Sequence, residues 1–291
     1  MTIPKDFRDR LIHVHYCSKG DYSFLHTLLS IDPELTFIYD RSEIELRLYF
    51  KRRKSLPVDK DVLRSLPYSK ILHYLDDNDI VPITKDDPVY PRELAYIHDA
   101  PYVLYVKGNI ELLQRKHKLS VVGTRHPSPM CQSEIDVLLP VAKQGIVLVS
   151  GLAIGVDQLV HQTAIKANGH TIAVLGFGHD HTYPLAIASL KRELMEKQLV
   201  ISEYPPYVAP VKYRFPERNR IIAGLSKATF VIEAKARSGS LITANLALEQ
   251  GKDVYALPGR IFEENSLGTN YLISLGAKII LHESSILEEF V

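Results

Sequence analysis

Past residue 80 the chain alternates between short apolar runs, often β-branched, and longer stretches whose apolar positions recur every three or four residues. The runs 102–106, 119–122, 147–150, 171–175, 199–203, 229–232, 254–256 and 278–281 predict strands. They are apolar along most of their length rather than at alternate positions. Burial on both faces is therefore expected, as in a mostly parallel sheet covered by helices on each side. Helices are expected to start near Pro129, Gly155, Ala186, Asn219, Gly239 and Thr269. Residues 1 to about 75 read differently, as short helices over 6–16, 22–30, 42–51 and 59–74, with Leu63, Leu66, Ile71, Leu72 and Leu75 at helical spacing. The polar run Asp76-Asp77-Asn78-Asp79 then separates a small helical domain, 1–78, from an α/β domain, 79–291. There is no internal repeat.

In an open α/β sheet, ligands bind where strands end and helices begin. Several expected strand ends carry glycine with small polar or basic residues: Gly123-Thr124-Arg125, Ser150-Gly151, Gly176-Phe177-Gly178, Arg237-Ser238-Gly239-Ser240 and Pro258-Gly259. Glycine allows close backbone approach to a phosphate, and free N–H groups at a helix start bind the anion. Ser238 and Ser240 can add hydroxyl donors. The same glycines would equally make ordinary tight turns. No GxGxxG follows the first strong strand, and GxxxxGK[ST], HExxH and GxSxG are absent. Neither a dinucleotide site nor a P-loop is indicated, and no cofactor or metal is expected. His179-Asp180-His181 reads as a polar loop and His161 as a hydrogen-bonded core histidine.

The most informative stretch is 205–226, PPYVAPVKYRFPERNRIIAGLS. Lys212, Arg214, Arg218 and Arg220 face a single acid, Glu217, with Tyr207, Tyr213 and Phe215 interleaved. Its prolines predict extended chain over 204–216. Extended cations and rings suit single-stranded nucleic acid, cations on phosphates and rings on bases. A surface loop with anchored rings and paired arginines would show the same residues. Arg218 and Arg220 flank Asn219 at the expected helix start, where a cation opposes the helix dipole unless an anion lies nearby. The tetrad Lys51-Arg52-Arg53-Lys54 fits either a solvated helix end or a phosphate contact.

Composition narrows the reading. With 35 basic and 34 acidic residues among 291, the chain does not coat nucleic acid by bulk charge; a local groove must do the work. The two cysteines, Cys17 and Cys131, match no metal spacing and suit a reducing cytoplasm. The charged N-terminus is no signal peptide, and no apolar stretch reaches membrane-spanning length, so a cytoplasmic protein without membrane contact is expected. With no Trp, any base stacking falls to Tyr and Phe.

The motifs VVGTR (121–125), SGLAIGVD (150–157), HTIAVLG (170–176), SEYPP (202–206), FPERNRIIAGLS (215–226), RSGSLITANLALEQG (237–251), VYALPG (254–259) and GTNYLISLGAKII (268–280) stand in one collinear order. Together they resemble the DNA-processing protein A (DprA/Smf) family over about residues 80–285. The resemblance implies an extended Rossmann-like domain that binds single-stranded DNA, dimerises and loads the RecA recombinase during natural transformation, with no catalytic activity. It points to Arg125, Lys212, Phe215, Ser238 and Lys252 for DNA, with Arg218, Asn219 and Arg220 shaping the same pocket; the glycine turns and the basic segment add Gly123, Ser150, Gly151, Arg214, Gly239 and Ser240. Two departures, Ile154 for the family's usual arginine and Glu217 for a basic residue, remove positive charge. They predict weaker or more salt-sensitive binding unless those side chains point away. The N-terminal region resembles a sterile-alpha-motif-like domain, and because the chain stops at Val291 the winged-helix domain of some members is expected to be absent. A Rossmann-like nucleotide phosphoribohydrolase is the alternative, and a pure interaction scaffold a third. The hydrolase needs a carboxylate beside its glycine turn, whereas Glu249 lies ten residues past Gly239, nearly three helical turns away.

Overall fold

The computed structural model describes residues 3–50 and 55–290. The basic tetrad Lys51–Lys54 lies outside them. The N-terminal helices are Phe7–Cys17, Tyr22–Ile31, Phe37–Asp40, Glu43–Tyr49, Lys60–Ser65 and Tyr68–Asp77. The Glu43–Tyr49 helix opens with a capping box, Ser42 and Glu45 each bonding the other's backbone N–H. The single helix expected over 59–74 is two, because Pro67 has no N–H to continue the ladder and forces Leu66 into extended geometry. The core of this unit, built on Phe24, Leu25, Leu28, Leu46 and Leu63, continues onto Val103 and Tyr105 of the following sheet.

The strands are β1 (Val81–Thr84), β2 (Val103–Gly108), β3 (Lys118–Val122), β4 (Val147–Ser150), β5 (Thr171–Leu175), β6 (Leu199–Ser202), β7 (Ala228–Val231), β8 (Asp253–Ala256) and β9 (Lys278–Ile279). Among the described residues these nine form one sheet in the order β1-β2-β6-β5-β4-β3-β7-β8-β9. From β6 to β9 neighbours run parallel; β1 and β2 add an antiparallel edge. Sequence pattern missed β1, whose Pro82 pairs opposite Tyr105. An edge strand tolerates a proline, since its missing N–H can face away from the ladder.

Successive strand residues feed opposite faces. Val147 and Val149 of β4 join a core with Ile221 and Ala244, while Leu148 between them joins Ile135 and Val160 on the other side. This is the expected doubly wound, Rossmann-like α/β architecture with helices on both faces. The chain winds from β3 through β4 and β5 to β6 in one direction, then returns to place β7 on the other side of β3. The switch point, where such sheets open a crevice, therefore lies beyond the carboxyl ends of β3 and β7.

One helix starts earlier than the sequence suggests. The expectation near Asn219 is corrected to Arg214–Leu225, which absorbs Phe215 and Pro216 from the stretch expected to be extended. Pro216 is the third residue of that helix, where an N–H has no helical partner and its loss costs nothing. Arg218 and Arg220 thus lie inside the helix rather than at its start.

Candidate nucleic-acid interface

The carboxyl ends of β3, β4 and β5 converge on a small slot of about 80 Å³ lined by Arg125, Gly151, Leu152, Phe177, Tyr183 and Phe215. Its back wall is built by Arg218. From the second turn of its helix the guanidinium donates to Gly151 O at 2.6 Å and to Val174 O, pinning the helix to the ends of β4 and β5. A Cβ on Gly151 would lie 2.6 Å from that guanidinium, so only glycine fits there. Burial lowers Arg218 to about 10 although Asp157 pulls it upward. Burial raises the Asp157 carboxyl, and the Arg218 charge and the Gly151 N–H at 3.1 Å act against that.

The open side of the slot carries cation and rings. The exposed Arg125 guanidinium lies over the half-buried Phe215 ring at 5.7 Å from its centroid. Phe215 also meets Tyr183 at 5.8 Å, tilted 37°, and Phe177 edge-on at 6.3 Å. Tyr183 is half exposed. The sequence hides it behind the polar HDHT run, and its only signal there is an aromatic in the loop after Gly176-Phe177-Gly178. Lys212, three residues before Phe215, is exposed, as is Arg237, also outside the expected set. Neither forms an ion pair among the described residues.

Other expected residues shape the crevice without reaching solvent as donors. Gly123 ends β3 at the switch point. The Ser150 hydroxyl is buried and donates to Val121 O at 2.7 Å, joining β3 to β4. Asn219 donates to Gly239 O at 3.4 Å, bringing the Arg237–Ser240 turn alongside the Arg214 helix. Ser238 caps the helix Gly239–Glu249 by accepting from Ser240 N, and the two serine hydroxyls bond each other. They complete the helix start rather than offer free donors. Gly239 itself is bare, with nothing within 4 Å of where a Cβ would sit, so a ligand could approach its backbone.

Three expected cations are turned away from the slot. Arg220 grips the buried Glu203 through two bonds of 2.7 and 2.9 Å and the partly exposed Asp99 at 2.8 Å. It is corrected to a structural ion pair. Lys252 sits at the opposite end of the Arg214 helix, where its ammonium caps Ala223 O at 2.8 Å and Gly224 O at 2.5 Å; burial lowers it to about 8. It is no part of the crevice. Arg214 leans the other way, over Tyr204 at 4.9 Å and Tyr213 at 5.6 Å, and donates to Ala209 O at 2.7 Å. It lines a neighbouring groove of about 510 Å³ with Tyr204, Tyr213 and Glu217.

The two departures from family pattern also find places. Ile154 is an apolar wall of the slot. Glu217 turns from the slot and accepts from the Tyr204 hydroxyl at 2.9 Å.

The Arg125 loop is held by Glu233, just past β7. The Glu233 carboxylate accepts from Ser128 N at 2.9 Å and Asn265 Nδ2 at 3.0 Å, and its carbonyl accepts from Thr124 N at 2.8 Å. The Asn265 amide also donates to His126 O at 3.0 Å. Sequence reading passed over Glu233 because both contacts come from distant loops.

Of the histidines singled out above, His161 and His179 are buried and His181 lies nearer the surface. His161 bonds Thr171 Oγ1 at 2.7 Å, as a core histidine should, while His179 and His181 donate to the carbonyls of Tyr105 and Tyr207, both at 2.9 Å. Glu249 ends its helix and lines a separate cleft with Lys252, so it does not stand beside Gly239. Among the described residues no helix is long and apolar enough to cross a membrane.

These features define a Rossmann-type α/β protein whose switch-point crevice lacks a dinucleotide fingerprint and presents cations and aromatic rings instead. The family model of DNA recombination-mediator protein A matches residues 82–291, and the chain belongs to that family. It is 44% identical over 204 residues to the DNA processing protein DprA of Streptococcus pneumoniae, covering 70% of this chain and 72% of that one. To its Bacillus subtilis counterpart it is 43% identical over 201 residues, covering 69% and 68%. The solved S. pneumoniae DprA structure superposes with a TM-score of 0.75 at 34% identity, covering 96% of this chain and 95% of that one. DNA processing protein A of Helicobacter pylori, solved to describe its single-stranded DNA binding mode, superposes at 0.65 with 31% identity, covering 72% and 95%.

Proposed function

We propose that this chain binds single-stranded DNA in the crevice beyond β3, β4, β5 and β7, has no chemistry of its own, and acts in the cytoplasm as a homodimer that loads a RecA recombinase during natural transformation or recombination. One observation carries the DNA reading: the exposed Arg125 guanidinium lies over Phe215, and Tyr183 is tilted against the same ring. Rings accept unpaired bases and the cation accepts phosphate, a combination that duplex DNA cannot use with its bases stacked inside. Lys212, Arg237 and the bare Gly239 backbone extend the polar surface around the rings. The H. pylori relative adds support through the DNA binding mode for which it was solved.

Support for a dimer comes from exposed apolar side chains on β9 and the segments flanking it: Phe262, Tyr271, Leu275, Ile279 and Leu281. Such side chains beside an edge strand suit burial against a second copy. RecA loading rests on family membership.

The test is fluorescence anisotropy of a labelled oligo-dT at two salt concentrations with wild type and Arg125→Glu/Lys212→Glu. Loss of binding with the fold intact supports the reading; undiminished binding in the double variant removes it. Sedimentation of wild type and Tyr271→Glu tests the dimer, and recombinase filament growth on protein-covered single strands tests loading.

A further inference from the structure

A second cluster lies under the Arg125 loop, where DNA binding gives it no role. Cys131 and Glu134 stand three residues apart on the helix Cys131–Ile135, on one face. Glu233 reaches them from the end of β7. One ligand atom from each, the Cys131 Sγ and an oxygen of either carboxylate, lies within 4.8 Å of the other two.

Three observations point to a cation. The Cys131 thiol is almost fully buried and makes no hydrogen bond among the described residues. Glu134 Oε2 is likewise buried without a partner. Neither carboxylate has a Lys, Arg or His ion-pair partner among the described residues, although Glu233 is 95% buried, being only 5% exposed. Two neighbouring acids, Glu233 buried and Glu134 half-buried, with no counter-charge, are unfavourable unless something positive lies between them.

We propose that Cys131, Glu134 and Glu233 bind a divalent transition-metal ion of the zinc class. Thiolate and carboxylate donors are the set zinc accepts, with bonds of about 2.3 Å to sulfur and 2.0–2.2 Å to oxygen. Donors around such an ion stand roughly 3.5 Å apart, so the cluster closes by about 1 Å on binding. Glu233 Oε2 is engaged by Ser128 and Asn265, whereas Oε1 has only a 3.3 Å contact to Ser128 N and is the freer donor. Binding forms one metal–sulfur and two metal–oxygen bonds, with water at the fourth position. It releases the thiol proton, and any proton on Glu134, to solvent. Because Glu233 also holds Thr124, Ser128 and Asn265, the ion would lock the loop that presents Arg125.

The experiment uses the chelator-treated full chain, titrated with zinc and with cobalt(II) as a spectroscopic probe. The expected result is one ion per chain, a cobalt–thiolate charge-transfer band, and slower amide exchange at His126 and Ser128 with metal. Cys131→Ser loses the band, Cys17→Ser keeps it, and Glu134→Gln weakens binding by roughly tenfold or more. Glu134 is partly exposed, so its variant reports even if Cys131→Ser does not fold. Failure to bind zinc at micromolar concentration overturns the proposal, as does a cobalt band that survives in Cys131→Ser. A Glu134→Gln protein that is merely more stable, with wild-type indifference to metal, marks a shared-proton pair and overturns it too. None of these readouts requires DNA.

Discussion

The guanidinium of Arg125, from the turn after β3, lies 5.7 Å above the ring of Phe215, from the first turn of a helix ninety residues later. A phosphate contact and a base platform are thus adjacent. If a base stacks there, Phe215→Ala weakens oligo-dT binding by about 1–3 kcal/mol, and Tyr183→Ala acts on the same surface. Anisotropy at fixed salt measures both, with circular dichroism as the control. A Phe215→Ala chain that unfolds would make the ring a core anchor instead.

Exposed cations set salt dependence. Replacing Lys212 or Arg237 by Gln should weaken binding and reduce the slope of log K against log salt by about 0.7 for each lost phosphate contact. Lys252→Gln should leave the slope unchanged, since its ammonium caps a helix end far from the crevice. A slope change on mutating Lys252 but not Lys212 would contradict the assigned site.

Arg220 and Glu203 form a buried pair, 2.7 and 2.9 Å apart through two bonds. Arg220→Met leaves the Glu203 carboxylate unpaired in the interior and should destabilise the fold by about 3–5 kcal/mol. Urea unfolding reads this as a lower midpoint at unchanged slope. DNA affinity of the molecules that remain folded should stay near wild type, because this guanidinium does not face the slot.

Acid should unfold the protein through buried histidines. Burial pushes His15 and His161 to about 3 and His179 to about 4, well below the usual 6.5. Lys191 and Lys107 near His179, and Arg218 near His161, act in the same direction. Between pH 6.5 and 4 the unfolded chain therefore takes up protons that the folded chain refuses. Their stabilising effect is complete above pH 6.5 and declines as pH falls, by about 1.4 kcal/mol per pH unit for each histidine. Urea midpoints at pH 7 and 5 measure the decline, and His161→Gln should flatten it by one histidine's share.

Much of the fold was legible because burial of a strand is written locally. The runs 147–150 and 171–175 coincide with β4 and β5, since a continuous apolar run can hide only between two helical layers. Glycine turns likewise marked the right end of the sheet. The β1 strand escaped notice because four residues with a proline carry little pattern. The sequence pattern sets the start of the Arg214 helix too late because proline usually breaks a helix, whereas in a first turn it does not.

The chain by itself determined the sheet, its switch-point turns and a segment rich in cations and rings. Only the tertiary structure decided which cations face solvent. Arg214, Arg218 and Arg220 share one short stretch, yet Arg218 bonds Gly151 67 residues away and Arg220 bonds Glu203 17 residues away. Those partners are set by how the helix lies across the strand ends. A buried guanidinium requires acceptors, and the folded crevice supplies them to Arg218 and Arg220 while leaving Arg125 and Lys212 exposed for a ligand.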